Sequence, residues 1–130
     1  MKLMIVDDHA GIRRMIRQFT ASSGDAVCEC ASGSEAVLKA REFTPDWVTM
    51  DIMMPGQDGF AATRSLVASV PAVRVIIVST HDQPELRQLA RNAGAVAFVA
   101  KDNLRDLKGH PVFADHRPAG KPAAPNQGAQ

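Results

Sequence analysis

Three aspartates follow two short apolar runs and are the residues best suited to chemistry. Asp7 and Asp8 come directly after Leu3–Val6, and Asp51 comes directly after Trp47–Met50. If both runs are neighbouring parallel strands, these carboxylates meet at the carboxyl edge of the sheet, where such folds place their sites. At about 5 Å apart, each pair would repel by roughly 3 kcal/mol at an effective dielectric of about 20. A hard divalent cation would offset this repulsion, and carboxylate oxygens suit Mg²⁺ or Mn²⁺.

A hydroxyl and an ammonium follow two further apolar runs. Ser79 and Thr80 follow Val73–Val78, and Lys101 comes shortly after Val96–Val99. One lysine cannot balance three carboxylates, and no Cys or His converges on them, which disfavours zinc. A cation, an ammonium and a hydroxyl around a carboxylate are the components of a phosphoryl-transfer site, and the carboxylate can itself be the nucleophile. No glycine-rich loop precedes a predicted helix, so ATP or GTP is not expected as the direct donor.

Apolar strands alternate with amphipathic helices along the chain. A weaker second strand is predicted over Ala26–Ala31, and apolar residues at helical spacing predict four helices, over Ile12–Phe19, Ala36–Phe43, Phe60–Val70 and Leu86–Ala93. Runs as continuously apolar as Val75–Val78 are typical of a parallel sheet covered on both faces. Five such strands favour an α/β fold, and the strand order 2-1-3-4-5 would make the first and third strands neighbours. Leu104 and Leu107 predict only a short or degraded fifth helix.

Composition narrows the possible functions. The chain has 130 residues with a formal net charge of +1, so no general basic field favours nucleic acid or an anionic membrane. No apolar run approaches the roughly 20 residues of a membrane span, and we expect a cytoplasmic protein. Cys28 and Cys30 are interpreted as small apolar residues on a half-buried strand, with a redox or metal role as the alternative.

A change in composition predicts two parts of the chain. Residues 109–130 contain four of the eight prolines, and Val112 and Phe113 are their only large apolar residues. We therefore expect a folded domain over residues 1–108, followed by a disordered tail over residues 109–130.

Four sequence blocks together resemble the receiver domain of bacterial response regulators. The resemblance covers residues 2–102, and its blocks are V-D-D-H at 6–9, M-D-I-M-M-P-G-Q-D-G at 50–59, V-I-I-V-S-T-H-D at 75–82 and A-F-V-A-K-D at 97–102. It implies a flavodoxin-like fold, with a five-stranded parallel sheet in the order 2-1-3-4-5 and helices on both faces. The blocks are similar to the subfamily that carries a helix-turn-helix output domain. Nothing after residue 108 is large enough for such a domain, so a stand-alone receiver or part of a longer regulator is expected.

The resemblance also implies a role for each residue of the site. Asp51 would accept a phosphoryl group from a phosphohistidine, and Lys101 would contact the phosphoryl oxygens. Asp8 would bind Mg²⁺ directly and Asp7 would support it through water. Asp51 and the backbone carbonyl of Met53 would complete the metal site, with Mn²⁺ as an alternative metal.

The resemblance assigns switching and tuning roles to four side chains. Ser79 and Phe98 would move together and remodel a protein-binding face. Met53 and His81 would tune the lifetime of the phosphoryl group. Arg13 and Arg14 are interpreted as a solvated helix face, with kinase docking as the alternative.

The implied partners are a sensor histidine kinase or phosphotransfer protein and an unidentified downstream protein, with no nucleic acid or membrane bound by this chain. The chain would be a phosphoacceptor and not a multiple-turnover enzyme. Two alternatives remain. A metal-dependent phosphatase would have a second acid where Met53 stands, and a pure interaction domain would not need the acidic cluster.

Overall fold

Within the described residues, five strands alternate with four α-helices and are followed by a 3₁₀ helix. A computed structural model describes residues 1–56 and 58–108, so the expected tail over 109–130 lies outside the described residues. The strands are β1 (Lys2–Val6), β2 (Ala26–Cys30), β3 (Trp47–Met50), β4 (Arg74–Ser79) and β5 (Ala97–Ala100). The helices are α1 (Ala10–Thr20), α2 (Gly33–Phe43), α3 (Gly59–Ser69), α4 (Pro84–Ala93) and the 3₁₀ helix (Lys101–Leu107).

The strands form one parallel sheet in the order β2-β1-β3-β4-β5, which confirms the prediction. In the register, Val6 of β1 lies beside Cys30 of β2 and Met50 of β3. β4 and β5 end one residue later than predicted, because Ser79 still pairs with Ala100 in the ladder. The side chains that end β1 and β3 therefore meet at one edge.

Two apolar layers cover the two faces of the sheet. On one face, Met4, Met50 and Ile77 pack among residues from α2, α3 and α4. On the other face, the strand residues pack with Ile16 of α1 and Leu107 of the 3₁₀ helix. Burial on both sides explains why the strands are apolar along their whole length.

The predicted short fifth helix is confirmed as a kinked 3₁₀ segment. Its backbone leaves helical geometry at Asn103, and the buried side chains of Leu104 and Leu107 hold it against the α1 side of the sheet. None of the helices within the described ranges combines the length and the apolar composition that a bilayer crossing requires.

The hydroxyl of Thr49 is buried in the sheet without a hydrogen bond to the described residues. Thr49 lies on β3 between Ile5 and Ile76, is 1% exposed, and its Oγ1 has no hydrogen-bond partner among the described residues. We expect Thr49→Val to raise the free energy of unfolding by about 1 kcal/mol, because a buried unsatisfied hydroxyl is removed without loss of shape. Urea unfolding at fixed pH measures this change.

Thr63 provides the matched control for this substitution. It is equally buried, but its hydroxyl donates to the carbonyl oxygen of Gly59 at 2.7 Å. Thr63→Val should therefore lose about 1 kcal/mol of stability. A Thr49→Val protein as destabilised as Thr63→Val would show that the Thr49 hydroxyl is satisfied after all.

Candidate functional site

Three carboxylates converge at the carboxyl edge of the sheet, as the sequence predicts. The ladder continues one residue past each strand, since the Asp7 amide donates to Cys30 O at 3.1 Å and the Asp51 amide to Val6 O at 3.0 Å. Asp7, Asp8 and Asp51 each offer an oxygen within 4.8 Å of the others. Asp7 and Asp51 are buried, whereas Asp8 is exposed. The cluster therefore has a buried floor and one solvent-facing side.

Lys101 places its ammonium between the two buried carboxylates. Its Nζ lies 2.8 Å from Asp7 Oδ2 and 3.3 Å from Asp51 Oδ2, and its side chain is 13% exposed. Burial by itself lowers the pKa of Lys101, but the contacts with Asp7 and Asp51 outweigh burial and raise it. The lysine therefore stays charged and partly neutralises the cluster.

The Asp51 carboxylate accepts a hydrogen bond in an environment that disfavours its negative charge. Burial raises the pKa of Asp51, and the nearby Asp7 carboxylate adds to that effect. The backbone N–H of Met53, which donates to Asp51 Oδ1 at 3.2 Å, and the Lys101 ammonium oppose it. The Met53 amide thus fixes one carboxylate oxygen while the other faces Lys101.

The donor atoms of this cluster fit a hard divalent cation. Asp7 Oδ2 is buried and receives no aligned hydrogen bond, although the Lys101 ammonium lies within ion-pair distance. All three side chains offer oxygen, and Asp8 leaves room for water on the exposed side. An oxygen-only set with an open side suits Mg²⁺ or Mn²⁺.

The loop after Asp51 is pressed against the start of α3. Asp58 caps this helix by accepting from the Ala61 amide at 2.8 Å. Gly59 then lies so close that a Cβ there would collide with the carbonyl oxygen of Asp51 and lie 2.6 Å from Ile52 Cα. Gly59 therefore lets the start of α3 pack directly on the Asp51 backbone, a contact that only the fold shows.

Ser79 and His81 occupy the same edge of the sheet, one strand further along. Ser79 ends β4 with a fully buried side chain, and its Oγ accepts from the His81 amide at 3.0 Å. Thr80 and His81 are exposed. The hydroxyl therefore lies at the carboxyl end of β4, the strand next to β3, and is hydrogen-bonded within its own loop.

Phe98 lies on β5 and faces α4 instead of the carboxylates. It is half-buried, and the Arg87 guanidinium lies 4.8 Å above its ring. Arg87 also pairs with Asp82 through two contacts of 2.5 and 3.1 Å. Two successive contacts, from Asp82 to Arg87 and from Arg87 to Phe98, therefore connect the loop after Ser79 with β5.

Arg13 makes a contact beside the acidic cluster that the sequence analysis did not predict. The interpretation of Arg13 as solvated is wrong, since its side chain is 17% exposed and contacts both Glu29 and the Asp7 carbonyl. Arg14 is exposed, as expected. The sequence contains one indication of this contact. Arg13 follows Ile12 and precedes Ile16 by three residues, which places it at the border of the apolar face of α1.

The family comparison defines the class of this fold and site. Residues 3–110 match the model of the response regulator receiver domain. The chain therefore belongs to the response regulator receiver domain family.

Particular relatives include chemotaxis proteins of similar length and longer regulators. The chain is 38% identical over 101 residues to chemotaxis protein CheY of Bacillus subtilis, covering 77% of this chain and 84% of that protein. A LuxR-family two-component response regulator from Aurantimonas sp. SI85-9A1 superposes with a TM-score of 0.79 at 34% identity, covering 89% of this chain and 86% of that one. The chain is thus similar to regulators of the LuxR family, as its sequence blocks predict. Other curated relatives are longer, and the chain spans 30% of the length of one and 49% of another.

One similar structure is a complex that contains BeF3 and Mg²⁺. The complex of CheX and CheY with BeF3 and Mg²⁺ from Borrelia burgdorferi gives a TM-score of 0.71 at 29% identity, covering 76% of each chain. The cluster of Asp7, Asp8 and Asp51 is typical of the Mg²⁺ site of receiver domains.

Proposed function

We propose that Asp51 accepts a phosphoryl group from a phosphohistidine of a sensor histidine kinase or phosphotransfer protein. The observation that carries this proposal is the buried Asp51 carboxylate, held by the Met53 amide and faced by the Lys101 ammonium. An Asp51 oxygen attacks phosphorus while the P–N bond breaks, and the electron pair leaves on the histidine nitrogen, which takes a proton from solvent. In this proposal residues 1–108 are the receiver unit of a cytoplasmic signalling protein.

The surrounding residues bind and orient the reacting group. Asp8, Asp51 and the Met53 carbonyl would hold Mg²⁺ or Mn²⁺, with Asp7 supporting the ion through water. The bound cation supplies positive charge for the phosphoryl oxygens. Lys101, whose ammonium lies between the Asp7 and Asp51 carboxylates, adds a second positive group for the phosphoryl oxygens.

Phosphorylation is read by a protein-binding face. Ser79 gives up the His81 amide and moves its hydroxyl toward the phosphoryl group, and Phe98 turns inward as the loop rearranges. The contacts from Asp82 to Arg87 and from Arg87 to Phe98 support this coupling, because the loop cannot move without disturbing them. The altered surface of α4 and β5 then binds a downstream protein.

Intact-mass measurement after incubation with Mg²⁺ and acetyl phosphate tests the acceptor. We expect a gain of one phosphoryl group, which Asp51→Asn abolishes and the exposed control Asp106→Asn retains. Multiple turnover of the donor without accumulation would instead indicate a metal-dependent phosphatase. No modification, with a kinase or without, would indicate an interaction domain that is not phosphorylated.

The decay of that mass tests the lifetime-tuning role of Met53 and His81. Both positions are exposed at the mouth of the site, and the apolar Met53 side chain, 61% exposed, cannot orient a water as an amide could. Met53→Asn should therefore change the dephosphorylation rate. An unaltered rate would remove this role.

A further inference from the structure

Arg13 bridges three parts of the fold at the acidic cluster. Its Nη1 donates to the carbonyl oxygen of Asp7 at 2.7 Å, and its Nε donates to Glu29 Oε1 at 2.9 Å. Arg13 belongs to α1, Asp7 follows β1, and Glu29 belongs to β2. A single guanidinium therefore ties the backbone of the acidic segment to a helix and to the edge strand.

The contact falls on the peptide that joins two of the acidic residues. The carbonyl of Asp7 belongs to the peptide unit between Asp7 and Asp8, so a shift of this peptide would move the Cα atoms that carry both side chains. The Asp7 carboxylate itself is held on the other side by the His9 amide, at 2.8 Å from Oδ1. Without Arg13, the peptide after Asp7 would lose its side-chain anchor to α1 and β2.

We propose that Arg13 is a positioning residue for the cation site, a role that rests on the proposed function. It holds the peptide after Asp7 in the orientation that keeps the Asp7 and Asp8 oxygens within reach of one ion. Residues that orient metal ligands in this way commonly change affinity by roughly 10- to 100-fold when removed.

The sign of the effect separates positioning from electrostatics. The Arg13 guanidinium is a positive charge beside a cation site, so its removal would strengthen cation binding by Coulomb's law alone. Loss of positioning would weaken binding. The two explanations therefore predict opposite changes in the dissociation constant.

Arg17 provides the matched control. It lies one helical turn further along α1 and pairs with the other oxygen of Glu29 at 3.2 Å, but it is 54% exposed and its guanidinium bonds to Glu29. Arg17→Met removes the same charge and a Glu29 contact, while the bond to the Asp7 carbonyl remains.

The experiment measures Mn²⁺ binding from the electron paramagnetic resonance signal of the free ion, without a phosphodonor. We expect about a tenfold weaker affinity for Arg13→Met and a change of less than about twofold for Arg17→Met. Equal or tighter binding by Arg13→Met would overturn the inference. Failure of the unsubstituted protein to bind Mn²⁺ would instead contradict the proposed cation site itself.

Arg13→Lys keeps the test decisive if Arg13→Met does not fold. Lysine keeps the positive charge but has one ammonium in place of the fork that reaches both partners. We expect weaker Mn²⁺ binding than in the unsubstituted protein, with unfolding by urea confirming that the variant is folded. Unchanged affinity in folded Arg13→Lys would show that the two-way bridge does not position the site.

Discussion

Replacing Gly59 with alanine should both destabilise the protein and disable the site. The new Cβ would collide with the carbonyl oxygen of Asp51 and lie 2.6 Å from Ile52 Cα and 2.9 Å from the Asp51 carbonyl carbon. These are backbone atoms, so relief requires the Asp51 segment or the start of α3 to move. We expect a loss of about 3 kcal/mol in the free energy of unfolding. Phosphorylation by acetyl phosphate should also slow, because Asp51 moves away from Lys101.

Gly11→Ala is the control for this substitution. A Cβ at Gly11 would meet only the ring of His9, at 3.1 and 3.3 Å, and this exposed side chain can shift if it gives up its 3.3 Å cap bond from the Ile12 amide. The gain of about 1 kcal/mol from replacing a helical glycine with alanine should then roughly offset the lost cap and leave stability about unchanged. A Gly59→Ala protein that is as stable as Gly11→Ala and is phosphorylated at the normal rate would contradict this prediction. It would show that the close approach of α3 to Asp51 affects neither stability nor phosphorylation.

Replacing Lys101 with methionine should have the second large effect. The ammonium lies between the buried carboxylates of Asp7 and Asp51, and its removal leaves them facing each other without a positive charge. Breaking a buried ion pair of this kind costs about 3 kcal/mol at neutral pH. The phosphorylation rate should fall about a hundredfold, because the positive group facing the phosphoryl oxygens is gone.

The pH dependence of stability follows from the direction of the Asp51 shift. Burial raises the pKa of Asp51 above its ordinary value of 3.8, so the folded protein holds this proton more tightly than the unfolded chain. Stability from this group is fully present below the ordinary pKa and is lost as the pH rises through the folded pKa. Lys101→Met removes a group that lowers this pKa, so its deficit should be larger at neutral pH than in acid.

Urea unfolding across pH, with and without Mg²⁺, measures both effects. Mg²⁺ should stabilise Lys101→Met more than the unsubstituted protein, because the cation takes over the role of the ammonium. Lys39→Met is the control, since Lys39 pairs with Glu35 on the surface of α2 and should change stability little. A deficit that is independent of pH and Mg²⁺ would contradict the assigned role of Lys101.

The sequence predicts the sheet and the acidic cluster because both depend on local patterns. Apolar runs such as Val75–Val78 indicate parallel strands, and residues that follow two neighbouring strands must meet at one edge. Predicting that Asp7, Asp8 and Asp51 converge therefore required only the strand order.

The supporting contacts depend on tertiary geometry that no local pattern contains. Arg13 reaches Glu29 because the register of β1 with β2 places Glu29 beside Ile5, at the height of the first turns of α1. Gly59 touches Asp51 because α3 packs its first turn onto the segment after β3. These distances follow from how whole elements pack. The residue pattern therefore predicts α1 and α3 but not the contacts that Arg13 and Gly59 make.

The last ladder bonds have a mechanical consequence for signalling. The amides of Asp7 and Asp51 donate to the carbonyls of Cys30 and Val6, so the backbone of each aspartate belongs to the sheet ladder. Residues 80–83, between β4 and α4, lie outside that ladder. Under the proposed function, we therefore expect phosphorylation to move this loop further than the backbone of the acidic cluster.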